Sequence, residues 1–270
     1  MIRESRATIE GRRFRYLDAG SGWPVVLIHG FPLHADMWRP QLERVPEGWR
    51  FIAPDLRGFG PDAPIPTGTQ RITLDDMAAD VGLLLDYLEI DPAVIGGLSM
   101  GGYVTFALFR QAPERFSGMM LADTKSQADT PEGRDARRAM IELAHAKGPP
   151  AVADAMIPKL LGATTARKRP ALAADLRRMI EGTRVEGIVA AIEAMLERPD
   201  STPDLADISF PTLVVVGAED LLTPVADATA MQNQIDRSRL VILPEVGHMS
   251  NLESPDGFTL ALSDFLASNL

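Results

Sequence analysis

Six short runs of aliphatic and β-branched residues, each closed within two residues by glycine, proline or aspartate, restrict what this chain can fold into. They occupy 24–28, 51–54, 93–95, 118–122, 212–216 and 240–243. Continuous apolar runs of this length suit strands buried on both faces, as in a parallel sheet. The stretches between several of these runs repeat with a helical period. In 74–88, Leu74, Met77, Val81, Leu84, Leu85 and Leu88 share one face, and Thr73 can cap the first turn. A second helix follows Ser99 through 103–109. The last two cover 226–235 and 258–266, the latter opened by Ser254-Pro255. Strands alternating with helices predict a mostly parallel sheet covered on both faces. The N-terminus departs from this pattern: 7–10 and 14–17 flank Gly11-Arg12-Arg13 and predict a β-hairpin.

One long segment, 126–207, contains no strand signal. Its amphipathic stretches, 132–146, 152–161, 171–181 and 185–196, are punctuated by Gly148-Pro149-Pro150 and Arg198-Pro199-Asp200. This predicts a helical cap at 126–207, inserted into a core made of 1–125 and 208–270. Its richness in Ala and Arg reflects helix propensity. A chain of 270 residues suits one such α/β core with an insertion.

Charge and cysteine usage exclude several functions. A net charge of −10 repels polyphosphates, so no nucleic-acid partner is expected. Without cysteine there is no disulfide framework, thiol nucleophile or thiolate metal site, and the four histidines are scattered, so no metal is expected. The charged start, Met1-Ile2-Arg3-Glu4-Ser5-Arg6, leads into no apolar signal core, and no apolar run approaches the ~18 residues needed to span a bilayer. The expectation is a soluble, unprocessed, cytoplasmic protein without a membrane partner.

The chemistry begins at Gly97-Leu98-Ser99-Met100-Gly101, a G-x-S-x-G pattern lying between a buried-strand run and a helix. No Walker lysine or G-x-G-x-x-G spacing turns this loop into a phosphate site. A serine hydroxyl needs a base. His248 follows the last strand run, at the sheet edge where α/β proteins place ligands. His145 falls inside a helix of the insertion and reads as structural or exposed. The base needs an acid to hold its tautomer. Asp220, after the run at 212–216, leads the candidates, with Glu219 beside it and Asp123 after 118–122 as alternatives. Donors for an oxyanion would be the N–H of Met100 and, from His29-Gly30-Phe31-Pro32-Leu33, that of Phe31, since Pro32 has none. His29 reads as a brace for this loop. His34 and Trp38 follow it and are candidates for the substrate pocket, and Met100 could add apolar wall.

His29-Gly30-Phe31-Pro32, Asp55-Leu56-Arg57-Gly58-Phe59-Gly60, Gly97 to Gly102, Gly217-Ala218-Glu219-Asp220 with Thr223-Pro224, and Gly247-His248-Met249-Ser250-Asn251-Leu252-Glu253 together resemble the α/β-hydrolase family. The resemblance covers nearly the whole core. It implies an eight-stranded sheet, a Ser99–Asp220–His248 triad in the family's chain order, and no cofactor. Within the family the chain looks most like the carboxylesterase and 3-oxoadipate enol-lactonase branch, which implies hydrolysis of a small or medium ester or lactone. Haloalkane dehalogenases and epoxide hydrolases carry aspartate at the Ser99 position. Meta-cleavage C–C hydrolases and perhydrolase-like relatives share the serine triad and remain alternatives, as does a hydrolase-fold ligand receptor. The same pattern assigns Asp55 and Arg57 to a loop ion pair and Asn251 and Glu253 to loop ordering. Trp23 and Trp49 read as packing residues. Met156, Ile157, Leu160 and Leu161 read as apolar cap residues over the triad.

Overall fold

The six apolar runs become strands of one eight-stranded sheet, and the N-terminal hairpin supplies the other two. The structure, a computed structural model, describes residues 1–61, 64–65 and 71–269. In chain order the strands are β1 (Arg3–Ile9), β2 (Arg12–Gly20), β3 (Trp23–Ile28), β4 (Trp49–Pro54), β5 (Ala93–Leu98), β6 (Phe116–Ala122), β7 (Thr212–Gly217) and β8 (Ser238–Leu243). Their spatial order is β1-β2-β4-β3-β5-β6-β7-β8. β2 runs antiparallel to β1 and β4, and all other neighbours are parallel. Because β4 and β5 lie on opposite sides of β3, the sheet changes its direction of growth there. Such a switch point opens a crevice at the C-terminal strand ends.

Burial explains why the runs are continuous. β5 and β7 are buried at every position, and Val25, Val26, Leu27 and Ile28 of β3 are at most 1% exposed. Each such side chain contributes roughly 1.5–3 kcal/mol by leaving water, and an alternating pattern would expose one face to the covering helices as polar. The edge strand β8 is only partly covered, and its burial is correspondingly mixed.

The helices start where local chemistry allows. A short α1 (Arg39–Leu42) follows β3. α2 (Leu74–Tyr87) opens with a reciprocal cap: Asp76 N–H donates to Thr73 Oγ1 at 3.1 Å, and Thr73 N–H donates to Asp76 Oδ2 at 2.9 Å. α3 (Met100–Gln111) begins directly after Ser99. Between β6 and β7 lie α4 (Pro131–Leu160), α5 (Ala163–Lys168), α6 (Pro170–Glu181) and α7 (Val185–Leu196). α4 breaks at Gly148 (φ 73°), where Pro149 and Pro150 exclude helical geometry from the preceding residue, giving the two stretches expected from the sequence. α4 packs on both α6 and α7, and the α6 stripe Leu172, Leu176, Ile180 is buried. α8 (Val225–Gln232), α9 (Ser250–Glu253) and α10 (Pro255–Asn269) complete the core.

Three readings need correction. The hairpin strands are longer than the alternating segments, because β2 also pairs with β4 over Tyr16–Gly20. Trp23 is 67% exposed: it begins β3, where the strand has not yet entered the covered part of the sheet. Its neighbour Trp49 is half-buried against the core. Asp55 and Arg57 do not pair with each other. Asp55 accepts from Arg15 Nη1 at 3.0 Å, while Arg57 grips Asp80 with Nε at 2.5 Å and Nη2 at 2.6 Å.

Candidate active site

Ser99 sits between β5 and α3 in a left-handed conformation, φ 55° and ψ −114°. A non-glycine residue there costs about 1–3 kcal/mol and persists only when its surroundings enforce it. Here they do. Ser99 N–H donates to Ala122 O at 2.9 Å, and Ser99 O accepts from Gly102 N–H at 2.9 Å and Thr124 Oγ1 at 2.8 Å. The flanking glycines follow from close approach. A Cβ on Gly97 would lie 2.3 Å from Gly101 C, and one on Gly101 would lie 2.2 Å from Ile28 O. The turn therefore closes only with glycine on both sides, and it presents the serine hydroxyl at the strand end.

His248 and Asp220 come from the loops after β8 and β7. His248 Nδ1 lies 2.8 Å from Asp220 Oδ2, and both residues are buried. Asp220 is held from every side: Oδ1 accepts from Leu222 N–H at 2.8 Å and Thr223 N–H at 3.0 Å, and Oδ2 accepts from Thr223 Oγ1 at 2.7 Å. Burial works to raise its pKa, but the neighbouring His248 and the Thr223 donors outweigh this and hold it below the ordinary carboxylate range. With Nδ1 engaged by Asp220, Nε2 is the ring nitrogen of His248 left for another partner.

The rival carboxylates have other partners. Glu219 accepts from Thr164 N–H at 2.8 Å and Thr164 Oγ1 at 2.5 Å, which ties it to α5. Asp123 accepts from Gly217 N–H at 2.9 Å and from Ser250 Oγ. Burial, reinforced by the nearby Asp220 charge, raises the Asp123 pKa well above the usual range.

The loop after β3 is braced by His29. Its Nε2 accepts from Leu56 N–H at 3.0 Å and its Nδ1 donates to Gly30 O at 3.1 Å. Burial lowers its pKa from 6.5 to about 3, so it is a neutral structural ring. Phe59 meets both His29 and Phe31 edge-on, at 5.1 and 6.3 Å between ring centres.

Ser99, His248, Thr223 and Phe31 line one cavity of ≈ 240 Å³. The candidates His34 and Trp38 do not. His34 Nδ1 lies 2.9 Å from Asp36 and caps the turn Ala35–Trp38, while Trp38 is fully buried against Phe258. The Met100 side chain is likewise buried and absent from the lining. Met156 lines the cavity, but Ile157, Leu160 and Leu161 pack elsewhere in the core.

The family profile for the alpha/beta hydrolase fold matches residues 24–255. The chain belongs to the α/β-hydrolase family. It is 32% identical over 238 residues to 3-oxoadipate enol-lactonase 2 of Acinetobacter baylyi, covering 88% of this chain and 86% of that protein. Among solved structures, a malate-bound thermophilic esterase from Thermogutta terrifontis superposes with a TM-score of 0.92 at 38% identity, covering 98% of both chains. The enol-lactonase of Burkholderia xenovorans LB400 gives 0.88 at 29% identity, covering 98% of this chain and all of that one.

Several residues of this α/β-hydrolase site escaped the sequence reading. Tyr103, Lys125, Asp129, Arg137, Met140, Ile192 and Met195 are among the residues that line the cavity. Lys125 could have been flagged, since it lies in the loop just after β6, behind Asp123 and Thr124, at the ligand-binding edge. Asp129 lies in the loop before α4, and the others come from α3, α4 and α7, whose docking no local pattern encodes. Asn251 and Glu253 do order the histidine loop. Asn251 Nδ2 donates to Met37 O at 2.8 Å. Glu253 accepts from Gly247 and Met249 N–H on either side of His248, both at 3.0 Å, and from Gly162 N–H, between α4 and α5, at 2.9 Å. His145 is exposed and lines a separate cavity of ≈ 440 Å³ that contains neither Ser99 nor His248. Among the described residues no group of three or more His, Asp or Glu could hold a metal, and no helix is long and apolar enough to cross a membrane.

Proposed function

We propose that this α/β-hydrolase cleaves a carboxylic ester or lactone of a small to medium molecule through an acyl-enzyme on Ser99. The observation that carries the reading is the 2.8 Å contact of His248 Nδ1 with Asp220 Oδ2, on a histidine that shares its cavity with the left-handed Ser99. His248 Nε2 takes the Ser99 proton as Oγ attacks the carbonyl carbon. Asp220 keeps the imidazole in the required tautomer and stabilises the imidazolium. The oxyanion is held by the N–H groups of Phe31 and Met100. In support, neither N–H donates to an acceptor among the described residues. The alcohol leaves with the proton from His248, and water, activated by His248, then hydrolyses the acyl-enzyme.

The helices between β6 and β7 act as a cap that limits substrate size. Met140, Met156, Ile192 and Met195 supply its apolar wall, and thioethers adapt to varied acyl shapes. The esterase and enol-lactonase relatives support ester and lactone chemistry. The test is stopped-flow hydrolysis of p-nitrophenyl acetate and butyrate by wild type and Ser99→Ala. The expected result is a burst and steady turnover in wild type, reduced by several orders of magnitude in the variant. Near-normal turnover by Ser99→Ala would sink the assignment, and no turnover by folded wild type would favour a ligand receptor.

A further inference from the structure

The Ser99 cavity is rich in cations although the chain carries a net charge of −10. Lys125, Arg137 and Lys159 line it against one carboxylate, Asp129. Asp129 is already engaged twice: Arg137 Nε donates to it, and Arg198 Nη2 lies 2.9 Å from its Oδ1. Lys125 is half-buried between the buried Thr124 and Ser126. Its ammonium makes no hydrogen bond or ion pair among the described residues, and Asp129 and Asp227 reach it only through space. Burial lowers its pKa, and the Arg198 charge adds to this. A partly buried cation without a close counter-charge costs free energy that an anion in the adjoining cavity would offset.

The position of Lys125 is also fixed relative to the nucleophile. On one side Thr124 Oγ1 donates to Ser99 O at 2.8 Å, and on the other Ser126 O accepts from Ser201 N–H at 2.9 Å. The segment carrying the ammonium is thus pinned to the Ser99 turn and to the end of the helical insertion. Lys159, an exposed residue lining the same cavity, adds to the field that draws anions in.

We propose that Lys125 is a specificity-determining residue that binds a carboxylate carried by the ester or lactone substrate. The proposal rests on the reading of Ser99 as the nucleophile, and its test separates the two. Monomethyl succinate carries the anion on the acyl half and acetoxyacetate on the alcohol half. Methyl 4-methylpentanoate and isobutyl acetate are their neutral isosteres. Each hydrolysis releases a proton at neutral pH, so a pH-stat follows all four. In Lys125→Met the ratio of kcat/KM between an anionic ester and its isostere falls about 10- to 100-fold, mainly through KM, as expected for one charge-assisted hydrogen bond. Lys125→Arg restores part of it. Whichever pair responds identifies the half that bears the carboxylate. Neutral esters hydrolysed with ratios unaffected by Lys125→Met would overturn the proposal and leave the serine reading standing. Calorimetric binding of succinate to Ser99→Ala, with and without Lys125→Met, needs no turnover. Weaker binding on loss of the lysine supports the proposal, and equal or absent binding in both overturns it.

Discussion

Replacing His29 with glutamine tests how the loop after β3 is held together. The ring is fully buried, accepts the Leu56 N–H and donates to Gly30 O. Protonation would place an unsolvated charge there and remove the acceptor, which is why burial lowers the pKa from 6.5 to about 3. Between those two values the unfolded chain binds one more proton than the folded one. Stability therefore falls as pH falls through that window, by about 1.4 kcal/mol per pH unit, and is unaffected by this residue above it. At pH 5 the loss attributable to His29 is about 2 kcal/mol. Glutamine offers an amide N–H donor group and a carbonyl acceptor without titrating. Asp220, Asp129 and Asp36, all held below the ordinary carboxylate range, also weaken the fold in acid, but equally in both proteins. Urea unfolding at pH 7 and pH 5 gives the comparison: His29→Gln should lose about 2 kcal/mol less than wild type between the two. Parallel losses would refute the argument that His29 is an uncharged brace.

Three further substitutions examine the site and its turn. Asp220→Asn should lower ester turnover by on the order of 10⁴, by presenting the wrong partner to His248 Nδ1, whereas Asp123→Asn should stay within about tenfold of wild type; the reverse ranking would reassign the acid. Gly101→Ala would force a Cβ to 2.2 Å from Ile28 O, a backbone atom of β3. It should cost at least about 3 kcal/mol, or a fall in Tm of about 6–12 °C in a melting scan, and an unchanged Tm would show that the glycine is not required by contact.

Much of this architecture is local in origin, which is why the sequence discloses it. Strands buried on both faces need continuous apolar runs, helix α2 needs a cap and Thr73 supplies it, and Pro149-Pro150 break α4 wherever the chain goes. The glycines around Ser99 are legible for the same reason, since a tight strand-to-helix turn tolerates little else. Placement just beyond a strand also suggested Asp220 and His248, with Glu219 and Asp123 left as alternatives for the acid. The distance between them is not a local property. It depends on β7 and β8 pairing in register from Thr212↔Ser238 to Gly217↔Leu243. The fate of equal-looking side chains was likewise decided by docking. His34 turns to Asp36, Trp38 to Phe258, and Trp23 to solvent, while Lys125 and Arg137 enter the cavity. Residue type and spacing determined the sheet, the helices and the candidates for the reactive groups, because those follow from backbone geometry and burial over a few residues. Tertiary structure decided which charges meet and which remain unpaired beside Ser99, because that depends on how the segment between β6 and β7 packs onto strand ends far away in sequence.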